Sequence, residues 1–381
     1  MIKFLQLFFF AQILFLSDSR AQMLDKVLDF FEIETNEKAA ARDSTRYPSK
    51  LVLAPIISYA PETNWAIGVG AKFLFKFRGS TKETRTSNMP ISALYTLNNQ
   101  ILLYSGYTIF FNEEKYLLKG NLKYSKFPQF YYGIGNNTPE TNEELYNYSQ
   151  ILVEPLLLKR LAGKLFAGGG IRYLKVHKVD FPAGGVTDQE QLPGYRGGVS
   201  TGAELAVSYD DRDNVLYATK GSLLEFTTGF YGKAAGGQFN YRVYKADLRK
   251  YFKVFPNRLD VFAMQLYGYV SEGNVPLAEY ARFGGGELMR GYYEGRYRNL
   301  VQIAAQVEYR WQLLPRIGFV FFGGVGDVAP SLARFTVNDL KPSFGLGLRF
   351  KIVKEENLNI RFDYGFGKKT QNYYLNIAEA F

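Results

Sequence analysis

The chain has 381 residues, a formal net charge of +10, no cysteine, one histidine, 29 tyrosines and 32 phenylalanines. No apolar run of about 18 residues or more follows the N-terminal segment, which excludes a helical membrane protein, and the lack of cysteine excludes disulfides and thiolate metal sites. The positive charges are spread along the chain, which favours a solvated interior and contacts with anionic lipid over nucleic-acid binding. An aromatic content of 17% is typical of a transmembrane β-barrel, whereas a soluble β-sandwich rarely needs so many long alternating strands.

Residues 1–21 have the pattern of a secretory signal peptide. Lys3 supplies the positive charge, residues 4–16 are apolar, and Ser19 and Ala21 place small residues before the cleavage point. We therefore expect an exported protein whose mature chain begins at Gln22.

Residues 22–48 are predicted to form a short amphipathic helix and a linker. Apolar residues recur at helical spacing from Met23 to Phe31, charged residues lie between them, and Pro48 ends the segment. The helix would lie on a membrane surface or against the mouth of a barrel. The alternative is a partly disordered leader.

Residues 49–381 are predicted to form one all-β domain, a 16-stranded antiparallel transmembrane β-barrel. An even number of strands with one set of short turns and one set of long loops is the bacterial outer-membrane pattern. Turn-forming residues separate the apolar stretches. The predicted strands are 51–60, 64–77, 89–98, 100–111, 115–126, 146–158, 163–175, 199–210, 220–232, 238–252, 258–271, 301–313, 317–327, 340–352, 357–367 and 373–381.

The connections between these strands divide into two sets by length. We expect the short turns at the periplasmic end: 98–99, 112–114, 255–257, 315–316 and 354–357. We expect the long loops at the exterior end: 79–88, 128–146, 176–197, 272–300 and 328–340.

The alternation of side chains predicts which face of each strand meets lipid. Residues 301–313 alternate most regularly, with apolar and aromatic residues on one face and polar residues, including Glu308 and Arg310, on the other. Segments 238–252 and 258–271 alternate poorly. The last strand carries Tyr373, Leu375, Ile377 and the terminal Phe381 on one face, so Phe381 is the predicted barrel-closing residue.

Three further stretches have compositions that a plain barrel wall does not require. Segment 282–292 is rich in glycine and contains Gly284, Gly285, Gly286, Arg290, Gly291 and Tyr292. It lacks the Gly-Lys-Ser/Thr sequence of a phosphate loop. Segment 209–214 contains Asp211, Arg212 and Asp213, and segment 131–136 reads Tyr-Tyr-Gly-Ile-Gly-Asn.

These stretches resemble motifs of the BamA/TamA outer-membrane assembly superfamily, also called the bacterial surface antigen family. Residues 282–299 are similar to its sixth extracellular loop, whose Arg-Gly-aromatic hallmark is here Arg290-Gly291-Tyr292. Segment 209–214 is similar to the family's aspartate-arginine-aspartate strand-end motif, and segment 131–136 to a loop of the short members. The likeness extends over nearly the whole chain from Leu51.

The resemblance implies that the loop folds back into the lumen and that its arginine pairs with acids on the inner wall. Glu308 stands at the position of one such acid, and a guanidinium in a partly dry lumen needs a carboxylate partner. On the next strand, Gly324 stands where the family usually has an aspartate, and Asp327 has the opposite parity. Glu308 is therefore the one partner that the sequence predicts, the alternative being that Glu308 and Arg310 are solvated lumen charges.

The resemblance also implies a function at the outer membrane of a Gram-negative bacterium. That function is the insertion or translocation of proteins, or of lipids, with outer-membrane or secreted proteins as clients and outer-membrane lipid as surroundings. The implied mechanism depends on a weakly paired seam between strands 51–60 and 373–381. In it, the loop of residues 282–299, which contains Arg290, braces the lumen. Assembly members carry POTRA domains before the barrel; we expect a short member without them, whose periplasmic part is supplied by a separate partner or not needed.

No enzymatic activity, cofactor, metal or nucleic-acid partner is expected. A barrel hydrolase would need a serine with a general base such as histidine, and the one histidine falls in a predicted loop without metal-spaced companions. The alternative function is a passive channel for small, preferentially anionic solutes, since sixteen strands can enclose an aqueous lumen. The basic residues expected inside are Lys119, Lys123, Arg349, Lys351 and Arg361. A surface antigen without transport is a third interpretation.

Overall fold

A computed structural model describes residues 32–34, 49–60, 64–81, 84–256, 258, 260–353 and 357–381. Its main element is an antiparallel sheet of sixteen long strands, each paired with the next along the chain. These strands are β2 (Lys50–Ala60), β3 (Asn64–Phe75), β4 (Ser87–Thr96), β5 (Ile101–Phe111), β6 (Tyr116–Tyr131), β7 (Glu144–Ala162), β8 (Leu165–Asp180), β9 (Gly198–Asp210), β10 (Gly221–Tyr231), β11 (Tyr241–Lys253), β12 (Val261–Gly273), β15 (Val301–Gln312), β16 (Ile317–Ala329), β17 (Lys341–Val353), β18 (Leu358–Gly367) and β19 (Thr370–Ile377). The sixteen predicted strands are thus confirmed, with shifted boundaries.

Short elements complete the described part of the chain. Strand β1 (Glu32–Glu34) precedes the sheet, and strands β13 (Ala281–Phe283) and β14 (Tyr297–Asn299) form a small hairpin within the connection from β12 to β15. The one α-helix of the described residues is α1 (Val186–Glu190), and none of the described helices is long and apolar enough to cross a membrane. Single 3-10 turns occupy Glu140–Asn142, Lys233–Ala235, Leu277–Glu279, Leu332–Arg334 and Val337–Asp339.

The predicted N-terminal segments lie almost wholly outside the described residues. The signal peptide, 1–21, falls outside them, as do residues 22–31 and 35–48 of the predicted helix and linker. Residues 32–34 are described, and they form strand β1 against residues 50–52 rather than part of a helix. An edge of β2 was available there for backbone hydrogen bonds, which explains why an extended conformation is adopted.

The two faces of the sheet differ as alternation predicts. On β15, the inward Gln306, Glu308 and Arg310 are buried, whereas the outward Val307 is exposed. Large outward apolar side chains are likewise exposed on many strands, for example Leu205, Phe226, Leu266, Phe321 and Leu346. A continuous apolar surface of this extent is stable only against lipid, so the outer face is the membrane face.

Strands β11 and β12 alternate too, although their sequences alternate poorly. Inward Tyr241 and Tyr251 are buried near the two ends of β11, and the outward residues near those ends, Arg242 and Lys250, are charged. Lys250 therefore interrupts the apolar outer face of β11, which continues beyond it with the exposed Phe252. The sequence of β11 alternates poorly because some of its inward residues are apolar and some of its outward residues, at the level of the headgroups, are charged.

Connections alternate between the two ends of the sheet, because successive strands are antiparallel. We call the end that holds residues 274–300 the loop end, and the end that holds Lys50 and Ile377 the terminal end. The expected placement of two connections is wrong: the turn 98–99 lies at the loop end, and the segment 79–88 lies at the terminal end. The prediction assigned these connections to an end by their length. The order of the antiparallel strands instead determines the end at which each connection lies.

The first and last barrel strands face each other across a seam. Every consecutive pair of barrel strands has a register, but within the described residues no register joins β19 to β2. At the terminal end the two sides of the seam still meet in one apolar cluster, which contains Val52 and Leu74 on one side and Val353 and Leu358 on the other. The sheet therefore curls round so that its first and last barrel strands adjoin at this end.

The chain leaves the wall of the barrel after β19. Alternation predicted a last strand over 373–381 with Phe381 on the same face as Tyr373 and Leu375, but β19 ends at Ile377 and Ala378 has a φ of 80°. The expected position of Phe381 is therefore wrong. Its ring is buried inside the terminal end, in a cluster with Tyr217 and Tyr251.

Candidate functional site

The connection from β12 to β15 folds into the lumen. The hairpin of β13 and β14 forms its base, and residues 284–296 lie between those two strands. Met289, Arg290 and Tyr292 are each at most 1% exposed. Phe283 and Tyr292 pack against inward residues of the wall, including Ala304 and Val328. Segment 282–292 is thus the buried tip of a loop that enters the lumen. We call the whole connection, residues 274–300, the Arg290 loop.

Arg290 binds two carboxylates. Its Nη2 donates to Oε1 of Glu308 on β15, and its Nη1 donates to Oδ2 of Asp363 on β18 at 2.6 Å. None of the three side chains is exposed. The guanidinium carbon also lies 3.7 Å from the centroid of the Phe322 ring on β16, at cation–π distance. A fully buried charge requires such partners, because an unpaired guanidinium would bear the full cost of desolvation.

Asp363 is the partner that sequence reasoning missed. The expectation that Glu308 alone would hold Arg290 is wrong, because the second acid comes from β18 rather than from β16. Apolar and polar residues alternate over 359–365 and place Asp363 inward, so the sequence contains a usable signal. Gly324 on β16 offers no side chain at the family's usual position, where an added Cβ would lie 2.8 Å from the Ala305 carbonyl oxygen. Asp327 instead binds Lys341 Nζ at 2.5 Å and Asn136 at 2.8 Å.

The Arg290 pair belongs to a closed ring of alternating charges. Arg310 binds Glu308 at 2.9 Å, Arg349 binds both Asp363, at 2.5 Å, and Glu379, at 2.6 Å, and Arg310 lies 3.9 Å from Glu379. Arg361 adds a further contact to Asp363 at 2.7 Å. This ring, the arginine ring, links β15, β17, β18 and the residues after β19; its members are Arg290, Glu308, Arg310, Glu379, Arg349 and Asp363.

The main chain of the loop tip is attached to the last strands. The amide of Gly291 donates to Tyr374 Oη at 3.0 Å, and its carbonyl accepts from Asn372 Nδ2 at 2.9 Å, both on β19. The Tyr292 hydroxyl donates to the carbonyl of Pro342 on β17 at 2.7 Å. A Cβ on Gly291 would lie 2.5 Å from the Phe366 carbonyl carbon, and its φ is 109°, so only glycine fits where the loop crosses β18.

The other three predicted loop glycines take different positions. Gly284 has a φ of 101°, and a Cβ there would lie 2.4 Å from the Tyr293 oxygen, so it permits the return of the loop on itself. The amide of Gly285 donates to the Tyr292 carbonyl at 3.1 Å. Gly286 faces β19, where an added Cβ would lie 3.4 Å from Asn376 Nδ2.

Segment 131–136 contacts the Arg290 loop from across the lumen. The Gly135 amide donates to the Arg298 carbonyl at 2.9 Å in an isolated β-bridge. The Arg296 guanidinium lies 4.3 Å from the centroid of the Tyr132 ring. The segment therefore secures the loop on the side opposite to β18.

The predicted strand-end motif stabilises its own turn. Asp213 Oδ1 accepts from the amides of Asn214, at 3.0 Å, and Thr219, at 2.9 Å, while Asp211 Oδ1 accepts from the Ser222 amide at 2.6 Å. Arg212 is paired with Asp210, with Nε 2.8 Å from Oδ1 and Nη2 3.1 Å from Oδ2. Asp210 is the partner that the sequence-based motif omitted.

The turn directs four apolar residues into the terminal end of the barrel. Val215 packs against a cluster that contains Phe110 and Phe166, Leu216 packs against both sides of the seam, and Tyr217 packs with Phe381. We call residues 215–218 the terminal plug. It packs against three separate parts of the wall inside this end of the lumen.

A second buried arginine reinforces the terminal plug. Arg85, in the connection from β3 to β4, binds Asp210 Oδ2 at 2.6 Å and Glu114 Oε2 at 3.2 Å. Its amide also donates to Glu114 Oε1 at 2.7 Å. Burial alone would raise the pKa of Glu114, but the charge and hydrogen bonds of Arg85 outweigh it and leave that pKa below its ordinary value.

The half of the chain that holds this site matches a known protein family. The model of the Omp85 superfamily domain matches residues 188–381, which is half of the chain and includes the strand-end motif, the Arg290 loop and every strand of the arginine ring. The chain belongs to the Omp85 superfamily. The predicted resemblance to the BamA/TamA family is thereby confirmed.

Two solved structures resemble this Omp85 barrel. BamA from Haemophilus ducreyi lacking POTRA domains 1–3 gives a TM-score of 0.55 at 11% identity, with 86% of this chain and 70% of that chain covered. CdiB from Acinetobacter baumannii gives a TM-score of 0.55 at 13% identity, with 86% of this chain and 59% of that chain covered. At such identities the likeness concerns the fold, and this chain spans little more than half the length of CdiB. A comparison with curated protein sequences gave no match.

Proposed function

We propose that this Omp85 barrel inserts or translocates polypeptide clients at the outer membrane, and that clients engage the seam between β2 and β19. The main support is that the two strands of this seam are held unequally. Its β19 side is held by the Arg290 loop through Gly291, whereas the described edge of β2 is paired only with the three residues of β1.

The open edge of β2 offers backbone hydrogen-bonding groups to a client. Unpaired backbone amides and carbonyls along an edge form a template for another strand, which gains main-chain hydrogen bonds without a particular sequence. In lipid the advantage is larger, because each unsatisfied backbone group costs several kcal/mol there. A client strand in an extended conformation is therefore the ligand that the edge of β2 would bind best.

The arginine ring gives the opposite side of the seam its rigidity. It joins β15, β17 and β18 to Glu379, and the loop tip adds bonds to β19. Movement at the seam would then displace β2 and its neighbours relative to a fixed β15–β19 unit. Such a division into a fixed and a moving side is what opening in the plane of the membrane requires.

The passive-channel alternative has less support. The lumen is obstructed by the Arg290 loop and, at its terminal end, by the plug of residues 215–218. Three of the five basic residues expected to attract anions are already paired: Lys119 binds Glu225, and Arg349 and Arg361 bind Asp363. A wide anion path would need these contacts to break.

A seam-locking experiment tests the proposal. Cysteines at Leu53 or Pro55 of β2, beyond the residues that β1 covers, would be combined with cysteines at Tyr373 or Leu375 of β19, since the native chain has none. An unfolded outer-membrane β-barrel protein, diluted from urea, would serve as client for liposomes that contain each variant. Single-cysteine variants are the matched controls.

We expect the protein to accelerate client insertion over empty liposomes, a locked seam to abolish the acceleration, and reduction to restore it. Equal insertion by locked and reduced protein would refute the use of the seam. Insertion no faster than in empty liposomes would refute the proposed function as a whole.

A further inference from the structure

The outer wall of the barrel contains a groove of about 640 Å³ that crosses strands β10, β11, β12, β15 and β16. Its volume is within the range of small-molecule sites, roughly 300–1,000 Å³. Leu224, Leu248, Leu266 and Val307 are among its apolar residues, and all point outward to the membrane. A depression of this kind in a lipid-facing surface is filled by a lipid chain or by another apolar molecule.

Two small residues create the depression. Ala305 and Gly323 stand on β15 and β16, where Val307 pairs with Gly323 and Leu266 with Ala305. A Cβ on Gly323 would have the Ser343 carbonyl oxygen, at 3.7 Å, as its one neighbour within 4 Å. The space in front of Gly323 is therefore open, and larger side chains on either side make its walls.

The terminal-end margin of the groove is polar and basic. Lys250 is outward and exposed, it lines the groove, and it stands opposite Ser222 on β10. Its ammonium donates to Ser222 Oγ at 2.9 Å and makes no ion pair with a carboxylate among the described residues. Lys220, two residues before Ser222, is also exposed.

The position of Lys250 matches a membrane interface. Outward Arg242 lies eight residues away at the other end of β11, and the outward side chains between them are Tyr244, Ala246 and Leu248. Eight residues of strand extend about 27 Å, which at a tilt of about 40° spans roughly 21 Å along the membrane normal, close to the apolar band of roughly 25 Å in such barrels. Lys250 is thus at the level of lipid headgroups, with the groove on its membrane side.

We infer that this groove is a binding site for an anionic glycerophospholipid of the membrane leaflet at the terminal end. One acyl chain lies in the depression over Ala305 and Gly323, and Lys250, with Ser222, binds the phosphate. The apolar lining provides the burial, and the lysine provides the preference for negative charge. This inference does not depend on the proposed function in polypeptide insertion.

Native mass spectrometry of the intact protein, released from mixed phosphatidylglycerol and phosphatidylcholine nanodiscs, tests the site. Gly323→Leu fills the groove, and Lys250→Glu reverses the charge at its margin. Gly268→Leu is the matched control, because Gly268 also faces outward and does not line the groove, and a Cβ added to it would meet only the Ala246 Cβ, at 3.9 Å. Heat-dependent gel mobility would verify that each variant is folded.

We expect wild type and Gly268→Leu to retain phosphatidylglycerol in preference to phosphatidylcholine. Retention should fall by about fivefold or more in Lys250→Glu, given the usual contribution of one basic residue at an anionic surface, and Gly323→Leu should lose it as well. Equal retention by all four proteins, or equal retention of the two lipids by wild type, would overturn the inference. So would a dimer that is lost in Gly323→Leu while lipid retention is unchanged, since a second copy would then occupy the groove.

Discussion

Arg290 and Asp363 are 73 residues apart in the chain, yet Nη1 of the arginine lies 2.6 Å from Oδ2 of the aspartate inside the barrel. Neither side chain is exposed, and Glu308 occupies the other side of the guanidinium. The loop tip is therefore fixed by two strands at once. The behaviour of the last strands should depend on this pair.

Removal of the Arg290 side chain should destabilise the barrel strongly. Arg290→Ala leaves Glu308 and Asp363 as buried carboxylates with one partner fewer, and breaking a buried pair costs about 3–5 kcal/mol. The temperature at which the folded band disappears on a semi-native gel measures the effect. Arg282→Ala is the control, because Arg282 pairs at 3.3 Å with the half-exposed Glu294 and should contribute at most about 1 kcal/mol. An equal decrease of this temperature in the two variants would show that Arg290 stabilises the barrel no more than Arg282 does.

The two acids should not be equivalent. Asp363 contacts Arg290, Arg349 and Arg361, whereas Glu308 contacts Arg290 and Arg310. We expect Asp363→Asn to lower the urea midpoint of unfolding in detergent more than Glu308→Gln. In a double-mutant cycle, Arg290→Ala with Asp363→Asn should show a coupling of about 0.5–3 kcal/mol. Additive losses would mean that the two residues act independently.

The strands were predictable from the sequence because lipid imposes a simple rule. Outward residues must be apolar, so the period of two survives in β15, β17 and β18, and all sixteen strands were found. The rule fails where residues are not in contact with lipid. The buried Tyr241 and Tyr251 obscured β11, and residues 378–381 were assigned to β19 because they are apolar in part, although they leave the wall for the interior.

The site was predictable only as far as local sequence determines it. Gly291 and Arg290 lie in one motif, and alternation gave Glu308. Alternation also places Asp363 inward, but its pairing with Arg290 depends on how strands far apart in the chain curl around the lumen, which no local pattern contains. The same reason hid the contact of Arg85 with Asp210, 125 residues away. The apolar run 215–218 was readable as sequence, but its entry into the lumen was not.

The terminal plug should limit ion flow. Leu216→Ser with Tyr217→Ser removes the apolar contacts to the seam and to Phe381. We expect larger and longer conductance steps in planar bilayers than for wild type. Val254→Ser with Phe255→Ser is the matched control, since both residues are exposed in another turn at the same end. Large steady steps from the wild-type protein itself would favour the passive channel.

The contact between Arg85 and Glu114 should make stability depend on acid pH. The pKa of Glu114 is held below its ordinary value of 4.5, so its contribution is complete above that pH and is lost as the pH falls through the lowered pKa. Wild type should therefore exceed Glu114→Gln in stability at pH 7, and the difference should shrink below about pH 4. Unfolding midpoints from pH 7 to pH 3 would reveal it. A difference that is constant over this range would show that the charge of Glu114 does not contribute.

The Arg290 loop lies inside the barrel against β19, and a crosslink within one chain would show this position. Gly286→Cys would be paired with Asn376→Cys, because a Cβ at Gly286 lies 3.4 Å from Asn376 Nδ2. Leu375→Cys, one residue away and on the outer face, is the control partner. A short thiol crosslinker should join 286 to 376 within one chain and leave 286 and 375 unlinked. If 286 and 376 stay unlinked although both thiols react singly, the loop does not occupy the lumen as described.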